Sequence, residues 1–168
     1  ISASGLQALT DGSSYTLTAD VSDAAGNAAT QVTSSAFTVD KSAPSINAIA
    51  TSALSWGAVL NATEDNSAGT VTVTTVGVED GQSVTITLNG ATYTGSVSSN
   101  SATVTISASG LQALTDGSSY TLTADVSDAA GNAATQLTSS AFTVDTSAPS
   151  INAIATSALS WGAVLNAT

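Results

Sequence analysis

The sequence predicts an all-β protein built from seven-stranded β-sandwiches in tandem, repeating every 105 residues. Three observations carry this. Residues 1–63 recur as 106–168, Ile1 at Ile106 and Thr63 at Thr168, with only Val32 changed to Leu137 and Lys41 to Thr146. A period of that length matches one small globular domain rather than a solenoid turn. Ser, Thr and Val are abundant, apolar and polar residues alternate at period two, and no long stretch carries a helical stripe. Short runs of this kind are separated by regularly spaced turn residues, the grammar of a sandwich.

The phase of the repeat divides the chain into residues 1–40, the end of one copy, 41–145, a complete copy, and 146–168, the start of a third. Only the middle copy holds all its strands and can bury a proper core. Strand A is expected at 45–52 with a continuation near 56–61. Strand B follows at 70–75, reading Thr-Val-Thr-Val-Thr, and strand C at 83–88, with Val84, Ile86 and Leu88 on one face. Asn89-Gly90 suits a type I′ hairpin, because both residues tolerate positive φ. Strand D is placed at 91–97, a turn at Ser98-Ser99-Asn100, and strand E at 102–106. A short helical turn over 109–114 then crosses between the sheets. Strand F spans 119–127, with Tyr120, Leu122, Ala124 and Val126 inward, and strand G spans 134–144.

The spacing Asp116-Gly117-Ser118-Ser119-Tyr120 puts a Tyr at the start of strand F, two residues before an inward Leu122. That is the spacing of a tyrosine corner, whose hydroxyl bonds backbone upstream, and it specifies the immunoglobulin-like version of the sandwich. The same elements recur around Tyr15.

With these strands, the segment Asp128-Ala129-Ala130-Gly131-Asn132 and the linker Val144-Asp145-Thr146-Ser147-Ala148-Pro149, the whole chain resembles bacterial Ig-like repeats from the extender regions of giant secreted adhesins of the RTX and biofilm-associated type. The resemblance implies an extracellular location at the bacterial cell surface and a rod stiffened by calcium at domain junctions. It also implies that glycan or surface ligands are bound by other, terminal domains, while the partners of this segment are neighbouring repeats of the same chain.

Composition excludes several functions. One Lys stands against twelve Asp and Glu, with no His, Cys or Met, for a net charge of −11. No basic patch exists to neutralise phosphates, so nucleic acid and anionic membrane surfaces are excluded as partners. Without Cys or His there are no disulfides, thiolates or zinc sites. No apolar run is long enough for membrane insertion of this segment. Ser-based hydrolysis has no base, and near-identical repetition suits a spacer, so an enzyme is not expected.

Cations remain. Of the eight acidic residues in 41–145, seven fall in loops or the linker, and only Asp125 sits on a strand, facing outward. Ig-like topology gathers the B–C, D–E and F–G loops at the end where strand A begins. This places Glu79, Asp80, Asp128 and Asn132 near the incoming Asp40. Glu64, Asp65, Asp116 and the outgoing Asp145 gather at the opposite end. Calcium takes six to eight hard oxygen ligands, so the expected metal set is Asp40, Asp80, Asp128, Asn132, Glu79 and Asp145, with Asp23 and Asn27 as the N-terminal counterparts. The competing reading is that Asp128 and Asn132 shape a turn around Gly131, and that Asp116 braces the tyrosine corner. The linker from Asp40 to Pro44 spans at most about 18 Å, and Pro44 stiffens its end while Lys41 and Ser42 are left as pivots. Two further readings stay open: a glycan-binding module that stacks sugars on Trp56, and a subunit of a self-assembling surface filament or coat. A buried Trp56 counts against the first; association at high concentration would favour the second.

Overall fold

A computed structural model describes residues 1–165. The N-terminal fragment holds a short helix α1 (Ala3–Gln7) and four two-residue strands, β1 (Ser14–Tyr15), β2 (Thr18–Ala19), β3 (Val32–Thr33) and β4 (Phe37–Thr38). These pair only among themselves, β1 with β4 and β2 with β3, both antiparallel.

Residues 41–145, expected to be a complete repeat, contain β5 (Ser45–Ile46), β6 (Val59–Asn61), β7 (Gly69–Val76), β8 (Ser83–Leu88), β9 (Ala91–Ser98), β10 (Ser101–Ile106), helix α2 (Ala108–Gln112), β11 (Ser119–Tyr120), β12 (Thr123–Asp125), β13 (Leu137–Thr138) and β14 (Phe142–Asp145). Strands run in the order β13-β12-β8-β9-β10-β7-β5. Strand β9 pairs with the whole of β8 through its residues 91–96, and with β10 through its last two, at Val97↔Ala102 and Ser98↔Ser101. The ladder turns over at that corner, so its two halves face one another as the layers of a sandwich. The hairpin before β9 has φ of 48° at Asn89 and 80° at Gly90, the left-handed pair that a type I′ turn demands.

Alternation in sequence becomes burial directly. Val71 and Val73 of β7 meet Val84, Ile86 and Leu88 of β8 in one core, while the intervening threonines face out. Each such side chain contributes on the order of 1.5–3 kcal/mol when taken from water. Trp56 closes one side of this core, its ring edge-on to Phe142 with centroids 5.4 Å apart. The indole is only 5 % exposed, so the sugar-stacking role is unavailable to it.

The chain departs from the expected strands in two places. Strand A is interrupted: β5 ends at Ile46, a 3-10 turn spans Thr51–Ala53, and the chain then changes sheets so that β6 runs parallel to β14. Strands F and G are each broken in two, because Ser139 Oγ and Ser139 N–H engage the backbone of Leu122 in place of continuous pairing. Either side of that break, β11–β14 and β12–β13 belong to different sheets.

The tyrosine corner is formed: the Tyr120 hydroxyl accepts the Thr115 N–H at 2.9 Å. The helical turn begins one residue earlier than expected, because the Ser107 hydroxyl caps it by accepting from Gly110 N–H. Gly110 itself is required by packing, since a Cβ there would run into the Tyr93 hydroxyl.

Candidate functional site

The three loops expected at the entry end of the complete repeat do meet. Glu79 accepts the Ala129 N–H at 2.8 Å, which joins the β7–β8 loop to the β12–β13 loop. Asp80 accepts the Ser99 N–H at 2.7 Å, which joins the same loop to the turn between β9 and β10. Asp128, 4 % exposed, organises the β12–β13 loop. Its Oδ1 accepts the Asn132 N–H at 2.7 Å and its Oδ2 accepts Asn132 Nδ2–H at 2.9 Å. Burial pushes its carboxyl up, but the bonds from Asn132, Gly131 and Ala130 outweigh that and hold it below the ordinary carboxylate value. Gly131, at φ 93°, closes the turn.

Asn132 also reaches the linker. Its Nδ2 donates to the Asp40 carbonyl at 3.2 Å, with the Asp40 carboxylate at 3.5 Å. Asp40, Asp128 and Asn132 therefore belong to one network that ties the incoming linker to the unit it enters, with Glu79 one loop away. The other candidates stand elsewhere. Asp145 lies at the opposite end, beside Asn61 and Glu64 in an open cleft of about 540 Å³. Asp23 and Asn27 repeat the loop bonds of Asp128 and Asn132, Asn27 Nδ2 to Asp23 Oδ2 at 2.8 Å, with no linker against them among the described residues.

This donor set is all oxygen and suits calcium in chemistry. In geometry, Asn132 turns its amide N–H groups toward both acidic residues, and among the described residues no three acidic side chains converge as a metal group.

A second set of contacts, unforeseen in the sequence, holds the linker from its other side. Asp116 Oδ1 accepts the Thr146 N–H at 2.7 Å and its Oδ2 accepts the Ser147 hydroxyl. Those two bonds, Ser147 first, hold the Asp116 carboxyl below its usual range. The earlier junction carries the same Asp grip. Asp11 accepts Lys41 N–H and Ser42 Oγ–H, both at 2.6 Å, and is held low for the same reason. Asp116 thus grips the linker rather than bracing the corner. Lys41 and Ser42, expected as pivots, are the bonded residues. The signal was present in sequence only as a pair of invariants, Asp-Gly before the Tyr and Ser in the linker, thirty-one residues apart.

A double-layered sandwich with a tyrosine corner, entered and left by short bonded linkers, defines an immunoglobulin-like domain. The chain belongs to the bacterial Ig-like domain family, whose model matches residues 57–146. It is 34 % identical to a 1.5-MDa bacterial ice-binding adhesin studied for host cell surface retention, over 80 % of this chain and 42 % of that one, with a TM-score of 0.44. It is 35 % identical to a Ca2+-stabilized adhesin with which an Antarctic bacterium binds ice, over 80 % of this chain and 32 % of that one, with a TM-score of 0.45. A bacterial immunoglobulin-like domain from the M. primoryensis ice-binding adhesin is 33 % identical, over 61 % of this chain and 95 % of that one, with a TM-score of 0.42. The chain spans less than half the length of the first two. No curated protein matches it.

Proposed function

We propose that this chain is a non-catalytic extender segment of a bacterial cell-surface adhesin, made of Ig-like repeats that hold a distal binding module away from the cell. The observation that carries the reading is the sameness of the junctions: two linkers, at Asp40–Pro44 and Asp145–Pro149, are gripped by Asp11 and Asp116 through the same pair of bonds. A unit that repeats both its fold and its joint adds a constant step and a constant rotation per copy. Family membership and the adhesins to which the chain is similar support the extracellular, surface location. No helix among the described residues is long and apolar enough to cross a membrane. The segment's partners in this reading are the adjoining repeats.

Calcium is the finer part of the proposal. Asp40, Glu79 and Asp128 are carried on three different segments that meet at the entry end. Divalent charge there would offset the mutual repulsion of these carboxylates in a chain of net charge −11. Asp80 adds a carboxylate from the same loops, Asn132 would add its amide oxygen on turning its side chain over, and extracellular sites of about 10⁻⁴–10⁻³ M affinity suffice for such a role.

Small-angle scattering on arrays of two, four and six repeats tests both parts. The maximum dimension should grow in proportion to repeat number; a compact, size-independent particle would sink the extender reading. EDTA should shorten and broaden the distribution, and Asp40→Ala with Asp128→Ala should reproduce it while Asp125→Ala does not. Superimposable profiles with and without calcium would remove the metal and leave the hydrogen-bonded joint. Concentration-dependent growth of the particle would instead support the filament.

A further inference from the structure

Lys41 and Thr146 mark the one place where the copies differ in chemistry, and that place is the joint. At the first junction the Lys41 ammonium donates to the carbonyls of Gln7, at 2.9 Å, and Leu9. Gln7 is the last residue of α1 and Leu9 lies just past its C-cap Ala8, so neither carbonyl has an intrahelical donor. Bonds from a cation to such carbonyls are charge-assisted, and the helix end is the side a positive group prefers. Lys41 N–H is already held by Asp11, so backbone and side chain of one residue fasten the linker at three points, Gln7, Leu9 and Asp11, of the stretch that joins α1 to β1. At the second junction the corresponding carbonyls belong to Gln112 and Leu114. Thr146 has no stem with which to reach them; it bonds Asp116 through its backbone, and its hydroxyl only adds to the pull that keeps the Asp116 carboxyl low.

We propose that the residue after the linker Asp grades the stiffness of each joint: Lys makes a firmly docked junction and Thr a looser one, so the array carries a sequence-written pattern of rigid and compliant steps. The Asp11/Asp116 grip is the constant part, and the ammonium is the adjustable part. The inference rests on the extender reading for its purpose, but the docking it describes is local and is measured separately. No metal takes part in it, because its acceptors are backbone carbonyls and its donor is a side-chain ammonium.

The test uses the whole 168-residue chain. Amide hydrogen exchange is followed at residue 146, whose N–H is held by Asp116, and corrected for the intrinsic rate of each side chain. Position 146 lies outside the core, so substitution there leaves the sandwich folded, and amides of β7 and β10 serve as the check. Thr146→Lys should raise protection at that amide by about three- to tenfold, the range of an ordinary net hydrogen bond, because solvent screens the ammonium at this exposed site. Thr146→Met, of similar reach without charge, should not. No gain with Lys, or an equal gain with Met, overturns the proposal. An array that proves compact in scattering would remove the extender reading while leaving this result standing, and an extended array with unchanged protection in Thr146→Lys would remove only the grading.

Discussion

Residues 1–40 and 106–145 are the same sequence apart from Val32 and Leu137, yet one is a surface and the other half of a core. Leu122 is 0 % exposed, and Leu17, its counterpart, is 47 % exposed. Val126 and Phe142 are buried where Val21 and Phe37 are not, and no residue of 1–40 is buried. The local bonds nevertheless coincide. The tyrosine hydroxyl accepts its backbone N–H at 2.9 Å in both copies. The Ser cap of the short helix bonds at 3.1 Å in one and 3.2 Å in the other. Ser34 and Ser139 hold the equivalent leucine N–H at 2.9 Å in each. Caps, Asx loops and corners are thus written over spans of a few residues or one hairpin, whereas burial waits for β7 to β10, which only the complete copy owns. Net bonds of about 0.5–1.5 kcal/mol each do not offset the entropy of ordering some forty residues without a core.

The sharpest way to break this comparison is to cut the same leucine in both places. Leu122→Ala should destabilise the middle repeat by about 2–5 kcal/mol in chemical denaturation, through lost transfer energy and a cavity. Leu17→Ala should fall within about 0.5 kcal/mol of the parent, as for an exposed site. Equal losses would mean that 1–40 is packed on something in solution.

A smaller contrast concerns the helical glycines. Gly110→Ala forces the Tyr93 hydroxyl aside and should cost about 1–3 kcal/mol in the same measurement. Gly5→Ala meets the flexible Ser2 hydroxyl at 3.3 Å and Ile1 Cγ2 at an ordinary 3.6 Å, and should be near neutral, since helix propensity favours Ala. A stabilising Gly110→Ala would show that Tyr93 can leave its place freely.

The smallest effect is with acid. Asp128 is held below its unfolded value of about 3.9, so its contribution is complete above that pH and is lost as pH falls through the folded value. The denaturation midpoint of the middle repeat should therefore decline below about pH 4, and Asp128→Asn should make that decline shallower. Asp23→Asn should leave the profile unchanged, although Asp23 is also held low by Asn27, because no cooperative unit depends on it. A profile indifferent to Asp128→Asn would show that its loop opens before the sandwich does.

Much of the fold was legible because a sandwich strand declares itself by alternation, and Asn89-Gly90 and the Asp116–Tyr120 spacing are each read within a few residues. The class of the domain followed from the same short-range grammar, and the 105-residue period from the recurrence of residues 1–63 at 106–168. Tertiary structure alone decided the breaks in strands A, F and G, since a change of sheet depends on which partner lies across the core and leaves no mark in alternation. It also decided the joint. Asp116 and Ser147, like Asp11 and Ser42, are far apart in sequence and ordinary in type, and Lys41 looked like an isolated charge in a linker. Their bonds follow from strand pairing, β1 with β4 and β11 with β14, which brings the loop before the Tyr, the end of the short helix and the departing chain to one edge, a placement set by a partner far along the chain rather than by any local preference.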